Sequence, residues 1–209
     1  MDARQVRSRN ALSVAILELA TVRAVDSLTV SEVAERAGVH RSTFYEHATS
    51  PVELLQSVLR EQLDTVREQS FGGVGDANSG TAAVASTEGV LAHVDRYDVI
   101  YERGLGASSG SGSLHAMLSE HFRESARQLQ KLDAFSVPLK IRGISAAETG
   151  EAVAAYVSGG AVGAIQVWLT TSKPREPSAF LDLFAALSPS WWPTVGNVES
   201  GNLSVAAGR

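Results

Sequence analysis

TVSEVAERAGVHRSTFYEH, residues 29–47, reads as two short helices joined by a tight turn. Val30, Val33, Ala34 and Ala37 recur at i, i+3, i+4 and i+7, which makes one apolar helical face. Thr29 and Glu32 have the spacing of a capping box: the hydroxyl caps the third residue's N–H, and the carboxylate reaches back. Gly38 stands where the helix needs a left-handed residue to end it. A second helix follows almost at once, from Arg41 to His47. Two helices packed on one small core leave the outer face of the second open to solvent, and such a helix fits the major groove of DNA. That face carries Arg41, Ser42, Thr43, Tyr45 and His47. None is a bulky aliphatic residue, and each offers hydrogen bonds to base edges or phosphates.

Upstream, Ala11, Leu12, Ala15, Ile16 and Leu19 form a helical stripe, so a first helix from Arg4 to Val25 is expected to brace the pair. Arg4, Arg7 and Arg9 offer cations to phosphates. Downstream, Ser50-Pro51-Val52-Glu53 is a second capping box with proline at the first helical position. The helix it starts carries Leu54, Leu55, Val58, Leu59, Leu63 and Val66 and reads as a connector. Gly72–Gly80 and Gly104–Ser113 are rich in Gly and Ser and read as linkers or loops. Thr81–Arg103 between them, and Leu114–Leu132 after them, have helical patterns. Ser145 and Glu148 form a third capping box, opening a long apolar helix from Ala146 to Thr171. Gly159 and Gly163 leave a shallow groove on it for close helix packing. Lys173-Pro174 ends that helix, and Pro177–Leu187 is the last. From Pro193 onward periodicity stops, and a disordered tail, 193–209, is expected.

The chain has 209 residues, ordinary apolar and charged shares of 44% and 20%, and no Cys. Disulfides, thiolate metal sites and Cys nucleophiles are thereby excluded. No run of about 18 apolar residues occurs, so no membrane partner is expected. The charged N-terminus lacks a secretion signal's apolar stretch, which points to the cytoplasm. A net charge of −5 argues against binding nucleic acid with the whole surface and leaves room for a local basic patch. No HExxH, nucleotide loop or Gly-x-Ser-x-Gly elbow is present. His121 and Glu124 at i, i+3 read as a surface pair rather than metal ligands. No enzyme, metal site or cofactor is expected.

The 29–47 segment resembles the TetR family of transcriptional regulators: a hydroxyl-initiated helix, Ala-x-x-Ala-Gly-Val at Ala34–Val39, a variable run, then Phe44-Tyr45-x-His47. The match covers roughly the first 60 residues. It departs at His40, where the recognition helix usually starts with Ser, and at Ala48, where Phe is common. It departs again at Pro51, where a phosphate-binding Lys often stands. Glu46 adds a negative charge beside the DNA face. Fewer cations release fewer counterions, so modest DNA affinity with a shallow salt slope is expected.

The resemblance implies an all-α homodimer. A helix-turn-helix domain at 1–50 would bind palindromic double-stranded operator DNA through Thr29, His40, Arg41, Ser42, Thr43, Tyr45 and His47. A helical domain at 51–192 would bind an unknown small-molecule effector and dimerise through its last two helices, with Trp168 and Phe180 as candidate interface anchors. Tyr97, Tyr101, Met117, His121, Phe122, Tyr156, Gln166 and Trp168 are the candidate effector contacts, a mainly apolar set with a few orienting polar groups. Repression is the family default. The alternative function is a helical adaptor that uses a TetR-like scaffold to bind protein.

Overall fold

A computed structural model describes residues 3–72, 79–106, 109–110, 113–132 and 137–192. Parts of both Gly/Ser stretches and the expected tail at 193–209 lie outside the described residues. Those described form nine α-helices and no strand: α1 Ala3–Val22, α2 Val30–Arg36, α3 Arg41–Tyr45, α4 Pro51–Phe71, α5 Ser79–Arg96, α6 Asp98–Leu105, α7 His115–Lys131, α8 Ala146–Leu169 and α9 Pro177–Leu187. A 3-10 turn, Val25–Ser27, follows α1.

The chain forms two compact units, Met1–Gln62 with Tyr97–Met117, and Leu63–Arg96 with Leu118–Arg209. The first unit thus extends past the expected 1–50 domain, taking in the first half of α4 as well as α6. The expected helix at 81–103 is two helices, since Tyr97 leaves helical geometry (φ −114°, ψ 28°) between α5 and α6. No proline or glycine marks that break, so periodicity alone runs straight through it.

In the first unit, α1 packs on α2 and α6, and α2 on α3. Leu12, Ile16, Val33, Phe44, Leu54 and Leu59 are fully buried. Each such aliphatic or aromatic side chain contributes about 1.5–3 kcal/mol by leaving water. The α1 C-terminus is closed by Arg103 on α6, whose guanidinium donates to the carbonyls of Ala20 (2.9 Å), Thr21 (2.9 Å) and Val22 (3.2 Å). Those carbonyls have no partner further along the helix, and a cation there also complements the helix dipole. Gly104 beside it is a packing residue rather than a linker. A Cβ there would lie 2.5 Å from Leu114 Cγ, and the Leu114 N–H donates to the Gly104 carbonyl at 2.8 Å.

At the start of α4 the expected capping box is altered. Ser50 Oγ accepts from the Glu53 N–H at 3.2 Å, but the Glu53 carboxylate turns to Thr49, taking its hydroxyl and its N–H (2.8 Å). Thr49 offers that carboxylate two donors, its hydroxyl and its N–H. The Ser145 box at α8 is complete.

In the second unit, Phe71, Ala83, Ala126, Leu129, Val153, Ala154, Val157 and Trp192 make one core cluster. α9 packs on α8 and on α5. Arg127 on α7 grips Glu151 on α8 with two bonds of 2.9 Å. Although no unbroken apolar run exists, α8 is long and apolar enough in composition to cross a membrane. Its buried residues, among them Ala154, Val162 and Ile165, make it a core helix of this unit.

Candidate nucleic-acid interface and effector cavity

The surface formed by α2 and α3 is built by its turn. Thr29 Oγ1 accepts from the Glu32 N–H (3.3 Å), and the Glu32 carboxylate receives the Thr29 N–H and hydroxyl, both at 2.8 Å. Thr29's N–H, then Arg23, hold that carboxyl down at about 2. Gly38 has φ +67°. Its N–H donates to the Glu35 carbonyl (3.1 Å), and the Val39 N–H reaches back to Ala34 (3.0 Å). This is a Schellman motif, which closes α2 and aims the chain into α3.

α3 is shorter than expected, ending at Tyr45. Phe44 is entirely buried and anchors it, with Tyr45 edge-on to Phe44 at 5.8 Å and 54% exposed. His40, Arg41 and Ser42 are exposed, and Thr43 is half-buried. His40 makes no side-chain cap to α3. The half-buried His47 lies beyond the helix, with Nε2 2.8 Å from Ser8 Oγ on α1. Thr29, placed with the DNA contacts by the resemblance, spends its hydroxyl on capping α2. Arg4, Arg7 and Arg9 all lie on α1, as expected. Arg9 bonds Ser57 (2.9 Å) and Glu61 on α4, which ties α1 to α4.

The candidate effector residues do not converge. Tyr101 and Met117 are buried, and with Tyr97 they belong to the first unit. Tyr156 is 70% exposed and borders a shallow groove with Leu139, Ile141 and Ile144. Gln166 is half-buried. Trp168 and Phe180, expected as interface anchors, are buried against each other inside the unit, rings edge-on at 6.2 Å. Arg175 sits over the Trp168 ring at 5.9 Å and donates to the Leu169 carbonyl at 2.7 Å. Their burial within one subunit removes them as anchors between subunits. His121 is buried on α7, with Arg67 Nη1 3.3 Å from its Nδ1 and Asp64 bound to Arg67 at 2.6 Å. Burial first, then Arg67, pushes its imidazole down to about 4.

Of these eight, Phe122 does line a cavity in the second unit. Phe71 of α4, Val84 and Ser86 of α5, Ser125 and Leu129 of α7, Val157 and Ala161 of α8, and Phe180 and Phe184 of α9 complete much of its wall. The cavity itself is about 50 Å³ and opens in part to solvent. These residues come from five helices at unrelated sequence positions, so no local pattern marks them. The nearest signal is the i, i+4 pair of Phe180 and Phe184 on α9.

Residues 12–58 match the model of the family described as bacterial regulatory proteins, tetR family. This segment is similar to the DNA-binding domain of that family. An uncharacterised HTH-type transcriptional regulator of Bacillus subtilis (strain 168) is 36% identical over 61 residues, which are 29% of this chain and 16% of that relative. The chain therefore aligns with well under two thirds of that relative's length. The fold of a TetR-family regulator from Streptomyces coelicolor matches with a TM-score of 0.55 at 18% identity, covering 99% of this chain and all of the other. The dihydroxyacetone kinase operon activator DhaS matches with a TM-score of 0.57 at 13% identity, covering 86% and 95%. The TetR-type fold thus extends beyond the helix-turn-helix into the C-terminal helices.

Proposed function

We infer that this protein is a DNA-binding transcriptional regulator that grips a palindromic operator as a homodimer in the cytoplasm and releases it in response to a small molecule. The observation that carries the reading is α3. Its core residue Phe44 is fully buried, while His40, Arg41, Ser42 and Tyr45 face solvent, within the segment that matches the family. Arg41 is suited to a bidentate bond with guanine, and Ser42 and Thr43 to base edges or phosphates. Tyr45 and His47 lie toward the end of the helix and suit phosphate contacts.

Dimerisation is supported by an apolar face on α8 and α9. Tyr156, Val167, Leu183 and Leu187 are 70%, 60%, 42% and 66% exposed. A Cβ at Gly159, Gly160 or Gly163 would meet nothing within 4 Å. An apolar face of this kind suits a symmetry mate. Two copies of α3 about 34–36 Å apart would enter successive major grooves. An effector that favours another separation weakens binding by its differential affinity for the two states, typically about 1–3 kcal/mol.

The test is an electrophoretic shift and footprint with DNA flanking the protein's own gene, followed by selection from a random pool. A footprint over two half-sites one helical turn apart is expected. Failure to enrich any sequence, with the protein folded, would refute the reading. A reporter under the selected site gives the sign, and repression is expected.

A further inference from the structure

We propose that the effector held in the second unit is an electrically neutral, largely hydrocarbon molecule bearing a hydroxyl group: a hydrophobic alcohol, not an acid or an amine. The inference rests on the reading of that cavity as the effector site. The cavity is rich in aromatic surface: Phe71, Phe122, Phe180, Phe184 and Trp192 face it, with the Phe180 and Phe184 rings stacked at 5.9 Å. Among the described residues that line it, none is ionisable. Arg67 on α4 pairs with Asp64, and Arg127 on α7 pairs with Glu151. A carboxylate or ammonium in this space would lose its water and find no countercharge, which is strongly unfavourable.

Besides the Trp192 indole, the polar groups of the wall are three hydroxyls, Ser86, Thr87 and Ser125. Thr87 donates its proton to the Ala83 carbonyl (2.9 Å), and Ser125 donates its own to the His121 carbonyl (3.0 Å). What these two oxygens retain is acceptor capacity. A ligand group that meets those two oxygens must therefore donate, while Ser86 can donate or accept. A hydroxyl donates without charge, a ketone or ester oxygen only accepts, and an ammonium donates at the cost of a buried charge.

The test uses the intact protein and four matched probes: octanol, methyl hexyl ketone, octanoate and octylamine. Binding is read by calorimetry and by release of operator DNA. Octanol is expected to bind and to release DNA. The ketone should bind about tenfold more weakly, the scale of one lost hydrogen bond, and the two ions at least about a hundredfold more weakly. T87V with S125A should bring octanol down to the affinity of the ketone. A161F, which fills the α8 wall, should abolish binding while leaving a cooperative melt and DNA binding intact. L181W serves if A161F does not melt cooperatively.

If octanoate or octylamine binds as tightly as octanol, and the filled variant blocks it, the ligand class is wrong while the effector site stands. If the ketone equals octanol, the hydroxyl assignment falls alone. If no probe binds, or octanol binds the filled variants as well as the natural protein, or binds without weakening the DNA complex, the effector reading falls together with the proposal.

Discussion

Lowering the pH from 8 to 5 should remove roughly 4 kcal/mol of folding stability, through two buried histidines of the second unit. His93 and His121 are 7% and 4% exposed. Burial first, then Arg96, pushes His93 down to about 4, and burial first, then Arg67, does the same to His121. Unfolded, each returns to about 6.5. Between those values the unfolded chain binds protons that the folded chain refuses, so stability is fully present above about 6.5 and falls as pH drops toward 4. Between pH 8 and pH 5 the loss is about 2 kcal/mol for each histidine, or about 4 kcal/mol for independent sites. That is a large share of the 5–15 kcal/mol typical of a domain.

The window avoids the carboxylates. Glu32, Glu53, Glu148 and Glu151 are held below their ordinary value by hydrogen bonds, so their contribution disappears only at lower pH. Urea unfolding followed by circular dichroism at constant ionic strength, at pH 8, 7, 6 and 5, measures the effect. H93Q with H121Q should flatten the dependence. Equal stability at pH 5 and 8, an unchanged slope in the double variant, or both imidazoles titrating near 6.5 by NMR would refute the reasoning.

R41A should weaken operator binding by about 1–3 kcal/mol and relax selectivity at one base of each half-site, measured by gel shift against a mutant operator panel. F44A empties the anchor of α3 and should destabilise the first unit by about 3–5 kcal/mol in denaturant titration. G104A sets a methyl into Leu114 and should lower stability by about 1–3 kcal/mol, against the gain expected of Gly→Ala in an open helix. G163E with L187E places like charges on the exposed α8 and α9 face and should shift sedimentation toward monomer, leaving the melt of the chain cooperative.

The hydroxyl-to-glutamate spacings at Thr29 and Ser145, the glycine at 38 and the apolar stripe of α2 determined these helix starts and the turn from the sequence alone. Capping and left-handed backbone are set by residues three or four apart, so they can be read from the chain alone. The same reading gave α9 its bounds and put Arg41, Ser42 and Tyr45 on the open face of α3. Tertiary packing decided what depends on residues far apart. It turned Trp168 and Phe180 inward and broke the helix at Tyr97. It tied Arg9 to Glu61 and spent Arg103 on the carbonyls that end α1. It also assembled the cavity from five helices, of which composition had suggested only Phe122. An aromatic residue carries the same apolar signal whether it faces its own core, a partner or a ligand. Which of these it meets is fixed by the neighbours that the fold brings to it.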